Sequence, residues 1–226
     1  MKLSESTINV LKSFSLVNKS IAFKPGTTLS TISPQKSIMA KAEIEDMFPS
    51  EGCFYDLVRF ISVLSLFDRP ELTFHQKYVT VSDSKSSVNY TFSDPSQIIT
   101  PPEKELTLPS EDVKVTIKSS DLINTIKAAS VLGLPELAIA SDGNTISLEA
   151  MDSKNPTADR YNVVLDSNPD NTVFKAMFKI ETLRMMSYDY DVTISSKGIA
   201  KFESTTNEPK VTYWLAMEEK STFEKV

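Results

Sequence analysis

Two short acidic stretches are the first places to look for chemistry. Glu43–Asp46 reads "EIED" and Tyr188–Asp191 reads "YDYD". Carboxylates this close can act as a general acid/base pair or bind a hard cation. The plainer reading is a solvated strand or turn whose acids alternate. Nothing nearby strengthens the catalytic reading. Cys53 and His75 each stand alone, so one chain can build neither a disulfide nor a cysteine–histidine metal site. Cys53 lies in the apolar run "GCFYDL" and reads as a buried small hydrophobe. His75 has no serine or cysteine at a motif spacing and reads as a surface strand residue. The sequence holds no G-x-x-x-x-G-K-[ST] or G-x-G-x-x-G loop, no H-E-x-x-H and no G-x-S-x-G. Five glycines leave little material for phosphate-cradling loops. The expectation is a chain with no catalytic residues, no cofactor and no metal. A hydrolase using the Tyr188–Asp191 carboxylates is the weakest of three functional readings.

A second set of charges is more orderly. Four predicted helices carry an acid in or near the first turn: Glu5, Asp56, Asp121 and Glu181. Such placement complements the positive end of the helix dipole. Lys12, Arg59, Lys127 and Arg184 follow at spacings of 7, 3, 6 and 3. On the first helix Asn9, Lys12 and Lys19 form a polar stripe, with Ile8, Val10, Leu11, Phe14 and Val17 as the apolar face. On the third, Ser120, Asn124 and Lys127 form the stripe, and Leu122, Ile126 and Ala129 point inward. Arg59 and Ser62 interrupt an otherwise apolar second helix. Arg184 stands among Leu183, Met185 and Met186 on the fourth. As ordinary solvated faces, these helices hold two i,i+3 pairs, Asp56–Arg59 and Glu181–Arg184, worth about 0.2–0.5 kcal/mol each. If instead all four stripes face one space, they suit a phosphate backbone read without sequence specificity. The net charge of −6 and pI near 5.0 speak against a uniformly basic protein, so such a surface would have to be local.

The elements that carry these charges recur. "INVLK" begins at Ile8 and "INTIK" at Ile123, 115 positions later in a chain of 226. The same offset pairs Ser4 with Ser119 and Ser15 with Ser130. Between the halves, Asp94–Asp112 holds four prolines and little periodicity, which reads as an extended connector. The predicted domains are therefore 1–93 and 112–226, joined by 94–111. Each opens on a strand, "MKL" or "DVKVTI". A helix follows, capped by Ser4 in the first half and by Ser119 or Ser120 in the second, where Gly133 stops it. Strand signals come next, including a hairpin turn at "SDGN". A short second helix lies in "YDLVRFISVLSL" from Tyr55 and in "KIETLRMMS" from Lys179. Three strand-like runs close each half. This is a duplicated α+β pattern. Hydrophobic content of 40% and charged content of 24% read as soluble and globular. No apolar run is long enough to span a bilayer, and "MKLSESTINV" lacks a signal-peptide core, so the expected location is cytoplasmic with no membrane partner.

With these elements placed, "MKLSESTINVLKSFSLVNKSI", the "YDL" before the second helix, "KSSDLINTIKAASVLGL" and the closing "AKFE" and "STFEKV" resemble the sliding clamps of T-even-type bacteriophages. The resemblance runs in order over nearly the whole chain. It implies the DNA-clamp fold: two similar domains, each with two helices packed on antiparallel β-sheet. Three subunits would join head to tail, a homotrimer forming a ring around double-stranded DNA. It implies a non-enzymatic processivity factor that tethers the replicative DNA polymerase in the cytoplasm of the infected bacterial host. A separate ATP-dependent clamp loader and a role in late transcription are further implications. The DNA-facing residues would be Lys12, Arg59, Lys127 and Arg184, with Lys19, Lys2, Lys118 and Lys179 nearby. Partner peptides would dock near the connector, at Ile98, Ile99 and Pro101, with Trp214 and Phe223 from the C-terminal region. Trp214, on an alternating strand, also reads as core. The family carries a second basic residue in the third helix where this chain has Ser130, so a thinner inner charge is expected. The competing reading is a duplicated α+β scaffold that binds protein partners without DNA.

Overall fold

The structure, a computed structural model, describes residues 1–104, 106–168 and 171–224. The chain divides into two compact units, Met1–Glu105 with Thr206–Thr212 and Leu106–Thr205 with Tyr213–Val226.

The first unit opens with helix α1 (Glu5–Val17). Ser4 caps it as expected: its Oγ accepts from Thr7 N at 3.1 Å. Asp46 Oδ2 adds a second anchor by accepting from Ser4 N at 2.8 Å. Val10, Leu11, Phe14 and Val17 are buried, while Ile8 is only half-buried. The helix ends at Asn18, whose side chain donates to Ile32 O and accepts from Ser20 N. Local capture of the backbone by an asparagine side chain competes with a further helical turn. Strands β1 (Ile21–Phe23) and β4 (Gly52–Phe54) pair antiparallel. Strands β2 (Gly26–Ile32) and β3 (Ile38–Phe48) form a hairpin. Helix α2 (Leu57–Leu64) buries Leu57, Phe60 and Leu64, spaced i, i+3 and i+7. A three-stranded antiparallel sheet, β5 (Glu71–Phe74), β6 (Tyr78–Ser82) and β7 (Ser87–Thr91), completes the unit. Its core is aromatic. Phe23 contacts Phe48, Phe54, Phe74 and Phe92, and Phe54 stacks on Phe60 with centroids 3.9 Å apart. The "MKL" segment is not a strand. Met1 only exchanges backbone hydrogen bonds with Leu72 on β5. The connector is not wholly extended either, since Pro95–Gln97 makes one 3-10 turn capped by Asp94.

In the second unit β8 (Val113–Ile117), β13 (Tyr190–Ser195) and β14 (Ile199–Ser204) lie side by side, antiparallel. A five-stranded sheet has the order β11 (Tyr161–Ser167), β10 (Thr145–Met151), β9 (Glu136–Asp142), β12 (Val173–Lys179), β16 (Thr222–Glu224). The predicted β9–β10 turn forms around Gly143, at φ 97°, with Asp142 Oδ1 accepting from Asn144 N and Thr145 N. Those two donors hold the Asp142 carboxyl below its ordinary pKa. Strand β15 (Lys210–Ala216) is cut by the unit boundary. Strands β11 and β16 were not expected from the sequence.

Helix α3 (Ser119–Leu132) stops at Gly133, whose φ of 67° is the left-handed cap expected of glycine. Its start differs from the expectation. Neither Ser119 nor Ser120 is the cap; Lys118 takes that place, with no side-chain cap bond. Asp189 Oδ1 instead accepts from Ser119 N at 2.7 Å. Ile126, expected inward, is half-buried. The larger correction concerns the fourth helix. "KIETLRMMS" yields one 3-10 turn, Ile180–Thr182, so among its described residues the second unit has one α-helix rather than two. Three side chains take the backbone groups a helix would need. Thr182 Oγ1 donates to Lys179 O, Tyr213 OH accepts from Met186 N, and Tyr190 OH donates to Met186 O.

Candidate nucleic-acid interface and partner cleft

Lys2, Lys12, Lys19 and Arg59 belong to the first unit, and Lys118, Lys127, Lys179 and Arg184 to the second; all eight are exposed. Lys12 lies one turn beyond exposed Asn9 on α1, and Lys127 one turn beyond exposed Asn124 on α3. Each sits opposite its helix's buried face. Arg59 is on the exposed side of α2, and Arg184 lies in the irregular segment after the 3-10 turn. Three of the eight are neutralised by exposed ion pairs: Lys2–Glu71 at 3.4 Å, Lys118–Asp189 at 3.8 Å and Lys179–Glu218 at 3.7 Å. Such pairs contribute about 0–1 kcal/mol, so they hold the side chains loosely. Among the described residues, Lys12, Lys19, Arg59 and Lys127 make no ion pair. The Asp56–Arg59 pair expected from the sequence does not form. Asp56 Oδ1 instead accepts from the backbone N of Arg59 at 2.9 Å, as the N-cap of α2.

Both acidic stretches make structural contacts. Asp46 and Asp189 anchor the starts of α1 and α3. Glu43 accepts from Thr28 Oγ1 and pairs with Lys41, and Asp191 accepts from Thr116 Oγ1. Among the described residues no cluster of three or more acids, histidines and cysteines could hold a metal. No helix there is long and apolar enough to cross a membrane. Cys53 is buried, its thiol donating to Ser93 O, and burial pushes its pKa up. His75 is exposed just beyond β5, stacked on Tyr78.

The five candidate pocket residues are divided between the units. Ile98 is buried, Ile99 exposed and Pro101 half-buried in the first. Trp214 and Phe223 belong to the second. Trp214 is core on β15, its Nε1 unpaired among the described residues. Phe223, on β16, stacks against Phe174 of β12. Ile99 opens on a cleft of about 510 Å³ together with Lys19, Pro34, Tyr55, Val58 and Gln97. The sequence reading missed Tyr55 and Val58. Their signal was position: Tyr55 precedes the α2 cap, and Val58 falls off the Leu57–Phe60–Leu64 face.

The chain has clear relatives. Residues 2–100 match a family described as DNA polymerase processivity factor, and residues 114–219 match gp45 sliding clamp, C terminal. The sliding clamp of Vibrio phage KVP40 is 33% identical over 96% of this chain and 99% of that protein. The sliding clamp of Enterobacteria phage T4 is 26% identical over 98% and 99%. Among solved structures, A. fulgidus PCNA aligns with TM-score 0.70 at 16% identity, covering 95% of this chain and 96% of its own. The H. pylori beta clamp gives TM-score 0.70 at 10% identity over 93% of this chain and 63% of its own. At such identities the two structures establish the fold alone, and that fold is the α+β clamp fold. With both halves matched in order and a relative one-third identical along its whole length, the chain belongs to the sliding-clamp family of DNA polymerase processivity factors.

Proposed function

We propose that the chain assembles head to tail into a homotrimeric ring that encircles double-stranded DNA and holds the replicative DNA polymerase to it. One observation carries this reading. The two long helices present a cation without an ion-pair partner at matched positions, Lys12 on α1 and Lys127 on α3, 115 residues apart, each on an outward polar stripe. A duplex threaded through a ring meets such positions repeatedly. Mobile, unpaired side chains on phosphates do not fix a register, which a sliding protein requires. Lys19 and Arg59 of the first unit and Arg184 of the second would add further cations toward the duplex, as would Lys2, Lys118 and Lys179, whose ion pairs are loose.

Two different open sheet edges support the ring. Strand β7 ends the three-stranded sheet and β11 ends the five-stranded one. Val164 of β11 is 62% exposed. Pairing of unlike edges is heterologous and closes only as a ring or runs on as a filament. The chain acts by binding, without a catalytic step of its own. It carries no phosphate-binding loop, so a separate ATP-dependent loader opens the ring. The site of action is the cytoplasm of an infected bacterium.

The test is charge reversal at Lys12 and Lys127 together. Synthesis on a long primed template at moderate salt should shorten to products of low processivity. The trimer mass and the thermal midpoint should not change. Unaltered product lengths would show that these helices do not face DNA.

A further inference from the structure

Of the five glycines, Gly143 alone follows an aspartate or asparagine. Such a step is open to an intramolecular reaction. The Gly143 nitrogen attacks Cγ of Asp142, the carboxyl hydroxyl leaves as water with the amide proton, and a cyclic succinimide closes. Water then adds at one of the two ring carbonyls. Opening at the side-chain carbonyl restores aspartate. Opening at the main-chain carbonyl routes the chain through the side chain, as isoaspartate. The net change is an isomerisation that consumes no oxidant or reductant. A glycine nitrogen has no neighbouring Cβ to hinder the attack, which sets this step apart from Asp83–Ser84, Asp152–Ser153 and Asp166–Ser167.

The folded turn withholds what the reaction needs. Asp142 is exposed at the end of β9, so water reaches its carboxyl. Its Oδ1 accepts from Asn144 N and Thr145 N, both at 2.9 Å. These bonds keep the carboxyl ionised, whereas the oxygen leaves as water only from the protonated acid. The nucleophile is held as well. Gly143 N donates to Ser141 Oγ at 3.1 Å, so its proton is engaged by a buried acceptor. Ser141 Oγ is fixed in turn by Asn168, whose Nδ2 donates to it at 2.8 Å and to Thr172 O at 2.7 Å. Ser141 and Asn168 are both buried, and their restraint lasts only while the turn stays closed.

We infer that Asp142–Gly143 is the isoaspartate-forming site of this chain, and that Ser141, held by Asn168, guards it in the folded protein. The inference stands apart from the clamp reading. Conversion inserts one methylene into the main chain between β9 and β10. Asp142 pairs with Val173 at the end of the β9–β12 ladder, and Asn144 O accepts from Asn168 N at 2.7 Å, so the added atom displaces both contacts. The carboxyl freed from the main chain is then a substrate for an isoaspartyl methyltransferase, with S-adenosylmethionine as methyl donor.

The full chain is aged at physiological pH and temperature, both folded and in unfolding urea. Isoaspartate is read as methyl groups transferred from labelled S-adenosylmethionine by an isoaspartyl methyltransferase. Tryptic peptide 128–154 holds both Asp142 and Asp152, so fragmentation of one peptide compares the two steps directly. Label should accumulate at Asp142 rather than Asp152, and faster in urea than in the folded chain. Folded Ser141→Ala should gain label about five-fold faster than wild type, the change expected for one lost hydrogen bond. Asp142→Glu should remove the label, because the corresponding glutamyl ring closes far more slowly. Amide exchange along β9 checks that Ser141→Ala is folded. If it is not, the folded and urea-treated wild type decide between them. Equal rates in folded and unfolded wild type, label chiefly at another residue, or a folded Ser141→Ala no faster than wild type would overturn the inference.

Discussion

In the first half Ser4 N donates to Asp46, and in the second, 115 residues on, Ser119 N donates to Asp189. The two acids come from different places. Asp46 is on β3, whereas Asp189 lies just ahead of β13. Each half has therefore kept the start of its long helix fixed by a carboxylate, while the strand that supplies it has changed. The second helices diverge. Helix α2 has its own cap and three buried apolar residues, but its counterpart shrinks to one 3-10 turn where Tyr190 and Tyr213 hold the backbone of Met186. The cores differ as well. The first is packed with phenylalanine rings, and the second centres on Tyr190, Tyr213, Phe178 and Phe202. What is shared is the placement of Lys12 and Lys127. The proposed ring would need those positions, and the rest would be free to drift.

The sharpest way to break this comparison is through the first core. Phe54→Ala should cost about 3–5 kcal/mol, because Phe54 is fully buried among Phe23, Phe60, Phe92 and Tyr90. Denaturant unfolding followed by hydrogen exchange should show the loss beginning in the first half. Gly52→Ala should come next, at about 1–3 kcal/mol. A Cβ there would lie 2.6 Å from Phe23 Cζ, and that ring is wedged among four others. The second half should respond to Tyr190→Phe. Removing its bond to Met186 O should cost about 1 kcal/mol at neutral pH. Burial also holds the Tyr190 phenol far above its ordinary pKa, so the folded state disfavours its ionisation. The stability from this group is complete below the unfolded pKa of about 10 and falls as pH rises beyond it. Wild type should therefore lose stability more steeply than Tyr190→Phe in alkaline melts. The smallest effect should be the most symmetric. Asp46→Ala and Asp189→Ala should each cost about 1 kcal/mol by loss of a helix anchor, read as paired shifts in urea midpoint. A shift confined to one variant would break the equivalence of the two helix starts.

Long periodic elements were legible in the sequence. Helices α1 and α3, the turn at Asp142–Gly143 and the Gly133 stop follow from local pattern and backbone chemistry. The fourth helix was misread because the groups that unmake it, Tyr190 and Tyr213, are distant in sequence or belong to the next strand. Strand β16 exists by pairing Thr222–Glu224 with Val173–Lys175, a partner no local window contains. Strand β11 carries Asn162 and Asp166, which lower strand propensity. The candidate cations could be chosen from helix pattern alone. The cleft could not, because it depends on Ile99 meeting α2 across more than forty residues of chain.

The central claim is that the duplicated helices surround DNA. It is tested most directly by loading the protein onto a nicked circular duplex with its cognate loader and ATP, isolating the complex, and then cutting the circle. The account predicts that the protein stays on the closed circle and slides off once the DNA is linear. Retention that survives linearisation would mean the protein grips DNA from one side, and would contradict the ring.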